Sequence, residues 1–78
     1  MIVSIANFKV LRTGVDGGHS YIETEISHEG NNRRLTIFFK GKFEESKIIL
    51  NQELTIKGDL HDDGLEYGLV LNSSEFVS

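Results

Sequence analysis

Two stretches of this chain alternate apolar and polar residues with a period of two, and a short polar run separates them. In "HSYIETEIS", His19 to Ser27, Ile22, Thr24 and Ile26 share one face, while Tyr21, Glu23 and Glu25 share the other. In "RRLTIFFK", Arg33 to Lys40, Leu35, Ile37 and Phe39 face one way; Arg34, Thr36, Phe38 and Lys40 face the other. Successive side chains of a strand point to opposite faces, so this period predicts two half-buried strands. "HEGNN", His28 to Asn32, supplies residues that tolerate positive φ and predicts a hairpin loop. One register then satisfies every pair at once. Glu25 lies opposite Arg34, Glu23 opposite Thr36, Tyr21 opposite Phe38, and Ile22 opposite Ile37 on the inner face.

The same period organises most of the remaining chain. "IVSIANFKVLR", Ile2 to Arg12, places Val3 and Ile5 on one face and Phe8 and Val10 on a face of opposite parity. A β-bulge at Ala6-Asn7 would turn both halves toward the core and bend the strand. "TGVDGG", Thr13 to Gly18, reads as a turn. "KFEESKIILNQ", Lys42 to Gln52, breaks the alternation. Phe43, Lys47 and Leu50 fall at helical spacing, which predicts a short helix or single turn between the third and fourth strands. "ELTIKGDL", Glu53 to Leu60, is the fourth strand, with Leu54, Ile56 and Leu60 inward. Gly58 shares that face and leaves room for a close backbone or a bend. "HDDG" turns the chain through Asp63-Gly64, a strong hairpin signal. "LEYGLVLNSSEFV", Leu65 to Val77, is the fifth strand, with Leu69 and Leu71 inward. The expectation is an all-β fold.

The length of 78 residues suits one domain spanning residues 1–78. A domain of this size buries only about 60% of the surface its unfolded chain exposes, so its core is thin. There is no cysteine, which removes disulfides, zinc–thiolate sites and thiol redox chemistry. A secreted domain this small would usually need such staples, so a reducing, cytoplasmic setting is expected. "MIVSIANFKV" carries no basic n-region or cleavage pattern, and no apolar run reaches membrane-spanning length, so no membrane partner is expected. Eight Lys and Arg stand against twelve Asp and Glu, a net charge of −4. Such a balance weighs against a purely electrostatic nucleic-acid binder, because non-specific binding is driven mainly by counterion release from phosphates.

Five strands with a short helical connection between the third and fourth resemble the oligonucleotide/oligosaccharide-binding barrel, the OB fold. The resemblance lies in the long bent first strand "IVSIANFKVLR" and in the half "IILNQELTIKGDLHDDGLEYGLVLNSSEFV". There an apolar pair, Ile49-Leu50, precedes the small turn Asn51-Gln52, the strand "LTIKG", the polar hairpin "HDDG" and a final strand ending in Phe76-Val77. It spans nearly the whole chain as pattern, without a functional motif; an SH3-like barrel gives a similar alternation. The resemblance implies a five-stranded antiparallel barrel with Phe43 plugging its bottom. It also implies that the outer face of the second and third strands, with the adjoining loops, holds the ligand.

By parity that face carries Tyr21, Phe38, Arg34 and Lys40, with Lys9 and Lys57 pointing the same way and Arg33 and Lys42 at its edge. Aromatic faces flanked by cations are what single-stranded nucleic acid needs, a π-surface for each base and a charge for each phosphate. Such binding is expected to fall steeply with salt. The plainer reading of Tyr21 opposite Phe38 is an ordinary cross-strand aromatic pair or a packed protein interface. An OB-like barrel that dimerises or docks a protein partner is therefore the alternative.

The crowded "HDDGLE" is the other candidate. Consecutive strand residues point to opposite faces, so His61, Asp62 and Asp63 converge on an ion only if the loop wraps it, and their spacing fits neither a calcium loop nor a zinc site. A catalytic carboxylate pair needs a shielded pocket, which an exposed hairpin tip does not offer. His19 and His28 have no second ligand at metal spacing. "GVDGG" lacks the Gly-Lys-Ser/Thr ending of a P-loop and leads into a strand. No catalytic residue, metal or cofactor is expected, and no enzyme.

Overall fold

A computed structural model of the chain describes residues 1–13, 19–41, 48 and 53–77. Its strands are β1 (Ile2–Ile5), β2 (Phe8–Thr13), β3 (His19–His28), β4 (Asn31–Phe39), β5 (Leu54–Asp62) and β6 (Leu69–Phe76). A single helical turn, α1 (Gly64–Tyr67), lies between β5 and β6. The strands form one sheet in the order β1-β5-β6-β4-β3-β2. The fold is all-β, as the alternation required, but six strands replace the expected five. The sheet is also mixed, because β4 and β6 run parallel while every other pair is antiparallel. The helix or turn expected over Lys42–Gln52, with Phe43, lies outside the described residues apart from Ile48, as does the Gly14–Gly18 part of the first turn.

The sixth strand comes from the N-terminal segment. The expected bulge at Ala6-Asn7 is a full break: β1 pairs with β5, and β2 pairs with β3. Two halves of one segment thus form the two opposite edges of the sheet. This connection dictates curvature. Laid flat, six strands would separate their outer members by five spacings of about 4.8 Å, roughly 24 Å. Ile5 and Phe8 are three Cα steps apart and can be separated by at most about 11 Å. The sheet must curl toward a barrel-like shape to bring both edges to this corner. Thr24 Oγ1 fixes the corner from β3 by donating to the Asn7 carbonyl at 2.5 Å.

The β3–β4 hairpin has the register that parity required, including Tyr21 opposite Phe38, Ile22 opposite Ile37, Glu23 opposite Thr36 and Glu25 opposite Arg34. Its turn is two residues, Glu29 (φ 51) and Gly30 (φ 82), the all-positive pair whose twist matches the flanking strands. The core is formed by the inner faces. Ile22, Leu35, Ile37, Ile56, Leu69 and Leu71 are fully buried, and Val3, Ile5 and Leu54 nearly so. Each such side chain contributes about 1.5–3 kcal/mol through removal from water. Phe39 and Phe76 stack at its margin with ring centroids 4.7 Å apart. Val10 is the exception among the expected inward residues. It lies opposite Ile22, yet 39% of it remains exposed, because β2 is an edge strand covered on one side only.

Two further differences shape the outer surface. The connection after β5 is not a two-residue turn at Asp63-Gly64. It runs through α1, closed by Asp63 N–H to Gly68 O (2.9 Å) and Gly68 N–H to Gly64 O (2.8 Å), so the last strand starts at Leu69 rather than Leu65. The last strand also carries one extra residue near Ser73 (φ 52). From Leu71 to Ser74 it advances three residues while β4 advances two, from Ile37 to Phe39. The same mismatch recurs against β5, between Lys57 and Asp59. The bulge presses β6 against Gly58, where a Cβ would sit 2.8 Å from the Asn72 carbonyl and 2.9 Å from Leu71 Cγ. The room expected at Gly58 is thus filled by β6. Beyond the bulge the parity of β6 inverts, turning Ser74 and Phe76 inward and Glu75 outward.

Candidate functional site

Tyr21 and Phe38 occupy adjacent strands at directly opposed positions. Their ring centroids lie 5.4 Å apart with planes inclined by 37°. Tyr21 is half-buried and Phe38 is 39% exposed, so the pair presents aromatic surface on the outer face toward the end of the β3–β4 hairpin away from its turn. Leu11 flanks Tyr21 from β2. The alternation of β3 and β4 alone places both rings here.

The four predicted cations share the outer face with acidic residues, two of them in ion pairs and two with a Glu at the opposed strand position. Lys9 stands directly opposite Glu23, and Arg34 directly opposite Glu25. Arg34 also donates from Nη2 to the Glu66 carbonyl at 3.2 Å. Lys40 and Lys57 converge on Glu75, Lys40 Nζ to Oε2 at 3.0 Å and Lys57 Nζ to Oε1 at 2.9 Å. These two ammonium groups, Lys57 foremost, hold the Glu75 carboxyl below the ordinary carboxylate range. The face is therefore balanced, four cations interleaved with four acids, Glu23, Glu25, Asp59 and Glu75.

Arg33 does not join this patch. Its parity turns it toward the β5–β6 connection, where Nη2 donates to Asp62 Oδ1 at 2.8 Å and to the Gly64 carbonyl at 3.0 Å. A longer bond from Nη1 reaches Asp62 Oδ2 at 3.4 Å. Asp62 Oδ1 also accepts the Gly64 N–H at 2.9 Å. The Arg33 hydrogen bond, followed by the Gly64 N–H, lowers the Asp62 pKa; Asp62 in turn raises that of Arg33. One acid of the "HDDG" run is thus spent on holding the connection. Among the described residues, no three His, Cys, Asp or Glu stand together as metal ligands. Lys42 lies outside the described residues.

Sequence reasoning missed Glu75. The available signal was a change of parity between Leu71 and Phe76, the same kind of change that marked Ala6-Asn7. An open cleft of about 520 Å³ borders the face beside that break, lined in part by Asn7, Lys9, Glu23, Glu25 and Arg34. No helix among the described residues is long and apolar enough to cross a membrane. No protein-family model, curated protein or solved structure matches the chain.

Proposed function

We propose that the chain is a small OB-like module that binds single-stranded nucleic acid on the outer face of β2, β3 and β4. Counted as one bent strand, β1 and β2 reduce the sheet to five strands that meet at the Ala6-Asn7 corner. That arrangement supports the OB resemblance, a partly open five-stranded Greek-key barrel whose ligand lies on this face. The observation that carries the reading is the opposed pair Tyr21–Phe38, an exposed stacking surface with Lys40 two residues farther along the chain. Stacking on such a platform tolerates any base.

The carboxylate beside each cation changes the expected salt behaviour. Four free cations would give a slope of log K against log salt of about −2.8, at about −0.7 per contact with a single strand. With Lys40 and Lys57 paired to Glu75, and a Glu opposite each of Lys9 and Arg34, the slope is shallower and stacking carries most of the affinity. The experiment is fluorescence anisotropy with labelled oligo-dT and oligo-U at low salt. Phe38→Ala weakens binding roughly 5- to 150-fold, the equivalent of about 1–3 kcal/mol per stacked base. No binding by the wild type, or full binding by Phe38→Ala, overturns the proposal.

A protein-docking or homodimer face is the second reading. Its support is the charge balance itself, since interleaved Lys, Arg and Glu suit a protein surface better than a phosphodiester chain. Light scattering that finds a dimer, lost on substitution of Phe38, would favour it.

A further inference from the structure

We propose that Lys40 and Lys57 form a phosphate subsite whose resident anion is the chain's own Glu75, exchanged for a nucleic-acid phosphate on binding; this rests on the nucleic-acid reading above. Glu75 lies on β6, the strand between the elements that supply the two lysines. Its oxygens are divided between them, one to Lys40 Nζ at 3.0 Å and one to Lys57 Nζ at 2.9 Å. Two ammonium groups, one from β5 and one just past the end of β4, on either side of β6 and focused on one anion, make an anion site by construction. The β6 bulge at Ser73 is what turns Glu75 outward to fill it.

The surroundings permit exchange. The lysine side chains are 61% and 54% exposed, and Glu75 is 38% exposed. Exposed ion pairs of this kind are weak and readily screened, so a polyanion competes for the cations without rearranging the backbone. An open cleft of about 380 Å³ lies over the cluster, lined by Lys40, Lys57, Gly58, Ser73 and Glu75 among others. It leaves space for a phosphate, with the exposed Ser73 hydroxyl as a further donor. Phe38 and Lys40 are two residues apart, about 7 Å along an extended chain, so a base on Phe38 directs its phosphate toward Lys40. Asp59 on the cleft margin opposes anions and keeps the exchange closely poised.

Glu75 then acts as a built-in competitor that sets affinity. Titration of labelled oligo-dT at several salt concentrations tests this on the wild type and Glu75→Gln. Glu29→Gln is the control, with the same charge change at the β3–β4 turn, roughly 30 Å from Lys40 along nine strand residues. Glu75→Gln is expected to tighten binding several-fold at low salt. Its salt slope stays close to that of the wild type, because the exchange gives both proteins the same two lysine–phosphate contacts. Adding Lys40→Gln and Lys57→Gln to Glu75→Gln abolishes the gain. Binding detected only in Glu75→Gln overturns the nucleic-acid reading of the native chain and this inference with it. If the wild type binds in a Phe38-dependent way but Glu75→Gln matches Glu29→Gln, the inference falls and the nucleic-acid reading stands. If neither the wild type nor Glu75→Gln binds, both fall.

Discussion

Gly68→Ala should be among the most damaging small substitutions in this chain. Gly68 joins α1 to β6 with φ 77 and ψ −159, a region that only glycine occupies without strain. A side chain there costs about 1–3 kcal/mol in backbone strain alone. The added Cβ would also lie 2.7 Å from the Arg34 carbonyl oxygen and 3.3 Å from Arg34 Cβ. β4 cannot yield easily at Arg34, because it is held by β3 on one side and by the start of the parallel pairing with β6, Leu35 to Leu69, on the other. Overpacking of this kind costs about a further 1–3 kcal/mol, for a total of roughly 2–6 kcal/mol. At about 0.05–0.15 kcal/mol per residue, a chain of this size has roughly 4–12 kcal/mol to lose. The melting temperature should fall by at least about 8 °C, at about 4–8 °C per kcal/mol. Gly64→Ala separates the two causes. Gly64 also has positive φ (87), but nothing lies within 4 Å of its would-be Cβ, so it should cost only about 1 kcal/mol. Circular-dichroism melts and urea titrations of both variants provide the measurement. A Gly68→Ala melt within about 2 °C of wild type, or an equal loss in Gly64→Ala, would refute the argument from the β4 contact.

Thr24→Val keeps the shape of a nearly buried side chain while removing its hydrogen bond to the Asn7 carbonyl. It should cost about 1 kcal/mol and raise hydrogen exchange in β2 ahead of the core, and unchanged exchange would show that the corner is held by other contacts. The folded-state pKa of Asp62 is lowered, so its stabilisation is present above its unfolded value near 3.8 and is lost as pH falls through the lower folded value. Wild-type melting temperature should therefore drop below about pH 4, and Asp62→Asn should be less stable at neutral pH with a shallower acid dependence. Parallel pH profiles for the two proteins would count against the Arg33–Asp62 link.

The faces and register of the β3–β4 hairpin were legible, although its loop is two residues, Glu29-Gly30, rather than His28 to Asn32. Strand period assigns each residue to a face, and the pairs Glu25–Arg34 and Tyr21–Phe38 select one register. The inner faces of β5 and early β6 were legible for the same reason. The split of the first strand was only half visible. A parity change at Ala6-Asn7 signals an irregularity, but a bulge and a change of partner leave the same local trace. Gly68 was hidden inside an apparent strand, because a glycine before "LVL" looks alike in an extended chain and in a strained corner. The aromatic pair of the candidate site and the Glu25–Arg34 opposition followed from parity, whereas the neutralisation of Lys40 and Lys57 did not. Glu75 reaches Lys40 and Lys57 only because β6 lies between β4 and β5 and carries a bulge.

Local alternation by itself determined that the chain forms strands, which side of most of them is buried, and how one hairpin pairs. It could do so because face and turn chemistry are properties of neighbouring residues. Tertiary structure alone decided that β6 runs parallel to β4, that the two ends of the sheet meet at Ala6-Asn7, and that "HDDG" anchors Arg33 instead of forming a tight turn. Those outcomes depend on which strands become neighbours across long separations in sequence, and a period of two is the same whichever neighbour a strand acquires.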